Sequence, residues 1–220
     1  MTTSSFPTSA PAVPRRRGFT LIELLVTISI ISILLGILIS TVRAVRRYSR
    51  QTITRGELKN IEAAWKQFYA HYQYWPSAAT INGVPRIDDN DGGDARYEML
   101  AGLARMLEGQ SFDVDDDTIE TYNADKIAFL ELTRFNRDGD PVNAWGRDRA
   151  ISVAGKEKPN TYVVVFDSDG DNQIRVELPG EDPTNLFRSV VVWTENPEYV
   201  KPADDDIPAG PPRYFGSWME

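Results

Sequence analysis

The stretch RRRGFTLIELLVTISIISILLGILISTV, residues 15–42, decides the fold of this chain. After three arginines and Gly18, residues 19–42 form an apolar run of 24 residues whose single charged side chain is Glu23. A helix of that length extends about 36 Å, enough to cross a hydrocarbon core of about 30 Å. The sequence therefore predicts a transmembrane helix. An ionised acid costs about 2.5 to 3.5 kcal/mol at mid-bilayer, so we expect Glu23 to have a partner and a function.

Gly18, Phe19 and Glu23 together resemble the N-terminal processing motif of the type IV pilin and type II secretion pseudopilin superfamily. In that motif a glycine ends the leader, an apolar and usually aromatic residue begins the mature chain, and a glutamate is its fifth residue. The resemblance implies that a prepilin peptidase cleaves between Gly18 and Phe19 and that the new amine on Phe19 is methylated. Residues 1–18 would then be a cytoplasmic leader that the mature protein lacks.

Cleavage at Gly18 would give Glu23 a partner. The free α-amino group of Phe19 is a cation, and in a staggered stack of helices it can lie beside Glu23 of a neighbouring chain. Each subunit that enters such a filament would neutralise its buried acid, so we predict that Glu23 acts in assembly. The alternative is a plain membrane anchor in which the glutamate lies near the interface and has no such role.

Small residues follow one face of the predicted membrane helix, at spacings of three and four: Ser29, Ser32, Gly36 and Ser40. Small side chains let helix backbones approach closely in lipid, which predicts a packing face for neighbouring subunits. Chance alignment of small residues is the alternative. Many members of the superfamily have a proline near the position of Ser40, whereas several minor pseudopilins lack it, so the sequence leaves open whether the subunit is major or minor.

The length of the apolar run argues against a cleaved secretory signal, whose core spans about 7 to 15 residues and ends at a small-x-small site. Arginines flank the run on both sides, so the positive-inside rule does not decide the orientation. The resemblance places the leader in the cytoplasm and the remaining chain in the periplasm or another extracytoplasmic space, anchored in the inner membrane by a single span. The arginines after the span can contact anionic lipid, acidic faces of neighbouring subunits, or solvent.

The rest of the sequence predicts an α+β, pilin-like domain. An amphipathic helix over residues 43–75 extends the membrane helix, with apolar residues at spacings of three and four. An acidic variable region with short helices follows at 76–135, including a second helix at 124–135. Strand patterns at 151–153, 161–166, 173–178 and 189–194 predict an antiparallel β region over 136–200 that packs on the helix. A tail rich in proline and aspartate, residues 201–220, is expected to be extended or loosely docked.

An acidic turn near the C-terminus predicts a calcium site. Asp167, Asp169, Asp171 and Gln173 alternate with small residues, and calcium takes six to eight oxygen ligands. The segment from Asn143 to Gly146, followed by strands and this turn, is similar to the D-P-W-G element before the calcium-binding loop of the major type II pseudopilin. An ordinary hairpin is the alternative, because aspartate, asparagine and glycine favour turns without any metal. The acidic cluster at residues 88–94 is interpreted as a solvated loop.

Composition disfavours two other classes of function. The chain has no cysteine and one histidine, His71, which is interpreted as a packing residue, so we expect no enzyme. Loss of the three leader arginines changes the net charge from −8 to −11, which disfavours nucleic-acid binding. The expected partners are other pilin-like subunits, the prepilin peptidase and methyltransferase, membrane lipid, and the inner-membrane platform with its cytoplasmic ATPase. A non-polymerising single-pass protein with an extracytoplasmic calcium- or ligand-binding domain remains the alternative, and a membrane-tethered enzyme is a weaker one.

Overall fold

Helix α1, Leu21–Tyr72, is the longest element of the computed structural model. The structure describes residues 19–76, 86–89, 94–99, 101–110, 123–146, 150–153, 156–159, 161–178, 180–199 and 212–219. The chain separates into two compact units with a boundary between Arg46 and Arg47. In the first unit the apolar side chains of α1 are exposed all around the helix, as a helix in lipid requires. Within the described residues, α1 is the one helix long and apolar enough to cross a membrane.

The second unit contains the remaining described elements, a short helix and nine strands. These are β1 (Arg86–Asp89), β2 (Ala95–Glu98), α2 (Ala101–Glu108), β3 (Ala150–Val153), β4 (Lys156–Pro159), β5 (Val163–Phe166), β6 (Ile174–Val176), β7 (Thr184–Leu186), β8 (Val190–Glu195) and β9 (Tyr214–Gly216). Five strands form an antiparallel sheet in the order β1-β2-β5-β8-β9, while β3–β4 and β6–β7 are separate two-stranded pairs. The predicted α+β fold, a long N-terminal helix with an antiparallel sheet, is confirmed.

The C-terminal half of α1 covers one face of this sheet. Trp65 is fully buried and meets Phe166 of β5 edge to face, with ring centroids 4.9 Å apart. Leu58, Ile61 and Phe68 belong to the same core, so the apolar stripe read from the sequence is a packing face. The helix ends at Tyr72, where the following residue adopts a left-handed conformation, φ 61°, and its backbone N–H donates to the carbonyl of Tyr69.

The other face of the sheet is also covered, which explains the uninterrupted apolar runs of β5 and β8. Along β5, Val164 and Phe166 belong to the core with α1, while Val165 packs with Ile174 and Val176 of β6. A strand buried on both faces needs no polar alternation. The sequence patterns at 151–153, 161–166, 173–178 and 189–194 each overlap an observed strand, β3, β5, β6 and β8, within one residue at the ends of β3 and β8.

The acidic region after α1, predicted as a variable region with short helices, also contributes strands to the sheet. Its described residues include β1 and β2, and β2 pairs with β5 in full antiparallel register, from Ala95 opposite Phe166 to Glu98 opposite Val163. All four side chains of β2 are buried, and α2 adds Leu103 and Leu107 to the core. The sequence did not indicate β2 because two of its four residues, Arg96 and Glu98, are charged. Their burial depends on the neighbouring strands of the sheet.

The predicted helix over residues 124–135 is wrong. These residues form turns and irregular chain organised by Asn123, whose side chain is fully buried. Its amide nitrogen donates to the carbonyls of Met106 and Ile127, and its oxygen accepts from the N–H of Ile127 and the hydroxyl of Tyr72. An asparagine side chain that bonds nearby backbone groups competes with helix formation. Here Asn123 also bonds Tyr72 of α1 and Met106 of α2, and these contacts stabilise the irregular chain instead of a helix.

The prediction of a loose C-terminal tail is also wrong for its described part. Residues 212–219 include β9, which pairs with β8 and places Tyr214 and Phe215 in the core. The ring of Phe215 stacks on Trp145 at 5.6 Å. Residues 201–211, which carry the aspartates of this tail, lie outside the described residues. The short apolar group Tyr-Phe-Gly is too brief to indicate a strand without knowledge of the open edge of β8.

Candidate functional site

The N-terminus of α1 is capped by three reciprocal hydrogen bonds between Thr20 and Glu23. The backbone N–H and the hydroxyl of Thr20 donate to Glu23 Oε2 at 3.0 and 2.8 Å, and the backbone N–H of Glu23 donates to Thr20 Oγ1 at 3.3 Å. This is a capping box, a T-x-x-E arrangement that satisfies donors at the start of a helix. Glu23 therefore has an intrachain role that the sequence reasoning did not consider. Phe19 lies next to it and is exposed, whereas Gly18 lies outside the described residues.

The described serines of the predicted packing face, Ser29 and Ser32, use their hydroxyl groups within α1 itself. Ser29 donates to the carbonyl of Leu25 at 2.7 Å and Ser32 to that of Ile28 at 2.8 Å. A Cβ added to Gly36 would meet no atom within 4 Å, so this part of the helix surface is open. The side chain of Ser40 lies outside the described residues. That this face packs against another helix stays a prediction.

The acidic turn between β5 and β6 is organised by Asp167. One carboxylate oxygen accepts from the N–H of Gly170 at 2.8 Å and the other from the N–H of Asn172 at 2.9 Å. Gly170 and Asn172 adopt positive φ values of 78° and 59°, which lets the chain curl around the carboxylate. Burial raises the pKa of Asp167 above its usual range, and the nearby Asp169 adds to that shift.

Asp94, just before β2, completes a cluster of three carboxylates with Asp167 and Asp169. Ligand oxygens of the three residues all lie within 4.8 Å of one another. Asp94 is 2 % exposed; one of its oxygens accepts from the N–H of Arg175 at 2.9 Å, and the other, Oδ1, is buried without a partner among the described residues. Burial raises the pKa of Asp94 to about 6, and the surrounding aspartates act in the same direction.

This cluster differs in membership from the predicted ligand set. It shares Asp167 and Asp169 with that set and adds Asp94. Asp171, on the same turn, accepts the N–H of Gln173 at 2.7 Å. Oxygens that share one calcium ion at about 2.3 to 2.6 Å lie at most about 5.2 Å apart, so the spacing of the cluster fits such an ion. Asp94 was assigned to a solvated loop because no local pattern links it to a turn more than seventy residues later.

A second turn with alternating polar residues, Asn136, Asp138 and Asp140, precedes β3 and has a structural role. Asp140 accepts from the backbone N–H of Ala101, the first residue of α2, at 2.9 Å and from the Asn136 amide at 2.9 Å. The side chain of Asn136 accepts in turn from the N–H groups of Asp138 and Asp140. These residues form a turn that caps α2, and the side-chain oxygens of Asn136 and Asp140 are engaged by donors.

Comparison with known families decides the nature of the N-terminal segment. Residues 13–39 match the family model described as the prokaryotic N-terminal methylation motif. The chain carries a prepilin-type methylation motif. No curated protein and no solved structure matches the chain significantly. The match to this motif covers Gly18, Phe19, Glu23, Ser29 and the two small residues that follow, Ser32 and Gly36.

The methylation motif gives a functional frame to the first unit. It indicates a type IV pilin-like protein that a prepilin peptidase processes and that assembles with other pilin-like subunits. Such proteins are structural subunits, and the apolar part of α1 indicates that the chain is anchored in a membrane. The motif ends at residue 39, so it assigns no role to the sheet or to the carboxylate cluster.

Proposed function

We propose that this chain is a structural subunit, a pseudopilin or a minor pilin, of a type II secretion pseudopilus or a type IV pilus-like filament. The coincidence of the methylation motif with a helix whose apolar surface is exposed all round supports this proposal. A helix of this kind needs lipid before assembly and other helices after it. The globular unit then lies outside the cytoplasm, and an inner-membrane platform with its cytoplasmic ATPase extracts the subunit from the membrane.

The first prediction concerns the mature N-terminus. Protein purified from native membranes should begin at Phe19 and carry one methyl group on its α-amine, as intact mass and N-terminal sequencing would show. A Gly18→Val variant is the matched control, because a branched side chain at the cleavage position should leave the leader in place. Native protein that begins at Met1 or Thr2 would contradict the proposal and favour a single-pass protein that never polymerises.

We also propose that the carboxylate cluster of Asp94, Asp167 and Asp169 binds calcium, with Asp171 and Gln173 as further candidate ligands on the same turn. The buried, partnerless Oδ1 of Asp94 supports this, because an oxygen in that position normally has a partner. The ion would join the β2 end of the sheet to the β5–β6 turn. In a chain without cysteine, such a link would serve as the staple that disulfides provide elsewhere. Such a site fits both the filament subunit and the non-polymerising alternative.

Calcium should raise the melting temperature of the mature protein, and Asp94→Asn should abolish this increase. Without metal, Asp94→Asn should melt higher than the native chain at pH 7, because it removes a buried carboxylate repelled by its neighbours. The same burial predicts a pH dependence of stability. Because folding raises the pKa of Asp94 to about 6, the metal-free native chain should lose stability as the pH rises from about 4 to about 6.

Asp138→Asn is the matched control for that experiment, because the Asp138 carboxylate is exposed and lies in the turn that caps α2. This variant should respond to calcium like the native chain. Thermal melts followed by near-ultraviolet circular dichroism, with calcium or with a chelator, measure all three proteins. An identical melting temperature of the native chain under both conditions would refute the calcium proposal and leave the filament proposal intact.

A further inference from the structure

A cleft on the flank of α1 collects positive charge. It has a volume of about 370 Å³ and is lined by Lys59, Glu62, Lys66, Arg188, Trp218 and Met219. We call it the basic notch. It lies within the second unit, where the side of α1 that is not covered by the sheet meets the turn after β7 and the residues after β9. The notch therefore combines cationic side chains with two large apolar ones.

Glu62 is the anion of the notch, and it is already neutralised. Its side chain is buried, and Oε1 accepts from Lys66 Nζ at 2.6 Å and from Arg188 at 2.9 Å. Although burial acts in the opposite direction, hydrogen bonds from Lys66 and Ser217 and the nearby charges keep the pKa of Glu62 below its usual range. Three cations thus face one buried carboxylate. Lys59 forms no ion pair within the described part of the chain.

An exposed aromatic residue precedes the arginine of the notch. Phe187 is 82 % exposed, and among the described residues that follow α1 it is the one large apolar side chain that is open to solvent. Exposed aromatic side chains next to arginine are typical of contact surfaces, because they bury a large apolar area at a low cost in conformational entropy. Phe187 is adjacent in the chain to Arg188, one of the cations of the basic notch, so we interpret this region as a docking surface.

Charge complementarity identifies the occupant. The mature chain carries a net charge of −11, and the described residues before β7 expose Glu181 and Asp182, which lie outside the proposed calcium site. A basic site and an acidic site on different surfaces of one chain give a head-to-tail contact between copies, and such contacts form open helical assemblies when they do not close into a ring. We propose that the basic notch binds an acidic surface of a second copy of this chain. This inference rests on the proposed filament function and names one of its lateral contacts.

Zero-length cross-linking of the full mature chain in native membranes tests the contact. A carbodiimide joins lysine amines to carboxylates that already touch, so it links Lys66 to Glu62 within each chain. It should also yield a dimer band whose cross-linked peptides join two chains through Lys59 or Lys66. Lys59→Arg combined with Lys66→Arg keeps both charges but removes the reactive amines, and it should eliminate these peptides. Lys126→Arg, an exposed lysine outside the notch, is the matched control and should leave the band unchanged.

Two variants that keep both lysines test the physical basis of the contact. Arg188→Gln removes one cation, and Phe187→Ser removes the aromatic surface without disturbing a buried group; each should lower the dimer yield about fivefold. Ionic strength of about 1 M, where screening acts within about 3 Å, should lower it as well. A dimer without cross-links at Lys59 or Lys66, or cross-links from them only to another protein, would overturn the inference. If the chain is processed and incorporated normally in that case, the proposed function stands.

Discussion

Replacement of Glu23 by Gln should prevent incorporation of the subunit into filaments while leaving cleavage after Gly18 intact. In the membrane the ionised acid costs up to about 2.5 to 3.5 kcal/mol, and pairing with the cationic α-amine of Phe19 on a neighbouring chain would recover it. That amount corresponds to roughly two orders of magnitude in an association constant. A neutral side chain removes this driving force, so the subunit should remain in the membrane in its processed form.

The capping box makes Glu23→Gln more informative than other substitutions. Glutamine can accept the hydrogen bond from the backbone N–H of Thr20 as glutamate does, so this variant keeps the helix cap and removes only the charge. Glu23→Val removes both, and Thr20→Ala removes the hydroxyl while keeping the charge. If the charge drives assembly, both Glu23 variants should fail and Thr20→Ala should assemble. If capping is the whole role of Glu23, Glu23→Gln should assemble normally and Glu23→Val should not.

Filament fractions sheared from cells, compared with the membrane fraction by immunoblotting, measure this incorporation. Intact mass of the membrane fraction shows whether each variant is cleaved and methylated. Normal incorporation of Glu23→Gln would refute the charge-pairing account, although the methylation motif itself would still describe the N-terminus. Accumulation of unprocessed Glu23→Gln would also contradict it, because it would move the role of Glu23 from assembly to recognition by the peptidase.

Replacement of Trp65 by Ala should destabilise the globular unit more than any other single substitution considered. Trp65 is fully buried between Phe68 and Phe166, with ring centroids at 5.6 and 4.9 Å, so its removal leaves a cavity where α1 meets the sheet. Substitutions of this kind cost about 3 to 5 kcal/mol. For a unit of this size the melting temperature should fall by roughly 6 to 20 °C.

Trp65→Phe should cost much less. The indole N–H of Trp65 is buried and has no hydrogen-bond partner in the described part of the chain, so phenylalanine removes an unsatisfied donor while retaining most of the apolar contact. Near-ultraviolet circular dichroism of the mature chain in detergent measures these melts, because it reports aromatic packing in the globular unit. Tyr48→Ala, an exposed aromatic on the same helix, is the control and should leave the melting temperature unchanged. Equal losses for Trp65→Ala and Trp65→Phe would show that the cavity is not the main cost.

The parts of the fold that could be predicted depend on local pattern. The apolar length of residues 19–42 and the spacing of Leu58, Ile61, Trp65 and Phe68 determine α1, because each signal repeats within a few turns of helix. The valine-rich runs of β5 and β8 indicate strands for the same reason. In contrast, the charged sequence of β2 and the short sequence of β9 carry no such signal, since both become strands only beside an existing edge.

The candidate sites divide in the same way. Gly18, Phe19 and Glu23 are recognisable from sequence because they belong to one contiguous motif. The acidic turn at residues 167–173 is visible too, but its buried member, Asp94, comes from a distant hairpin. The basic notch had no sequence signal either, because Arg188 approaches Glu62 only when the turn after β7 reaches α1.

The sequence by itself determined that this chain has a membrane helix with a prepilin-type motif and that an amphipathic helix continues from it. These are properties of contiguous residues, and a helix of fixed rise and period converts them directly into length and face. Only the tertiary structure decided that Asp94 joins Asp167 and Asp169, and that Arg188 and Lys66 share Glu62. Such clusters are made by backbone pairing and core packing between distant segments, and no local spacing records which segments those will be.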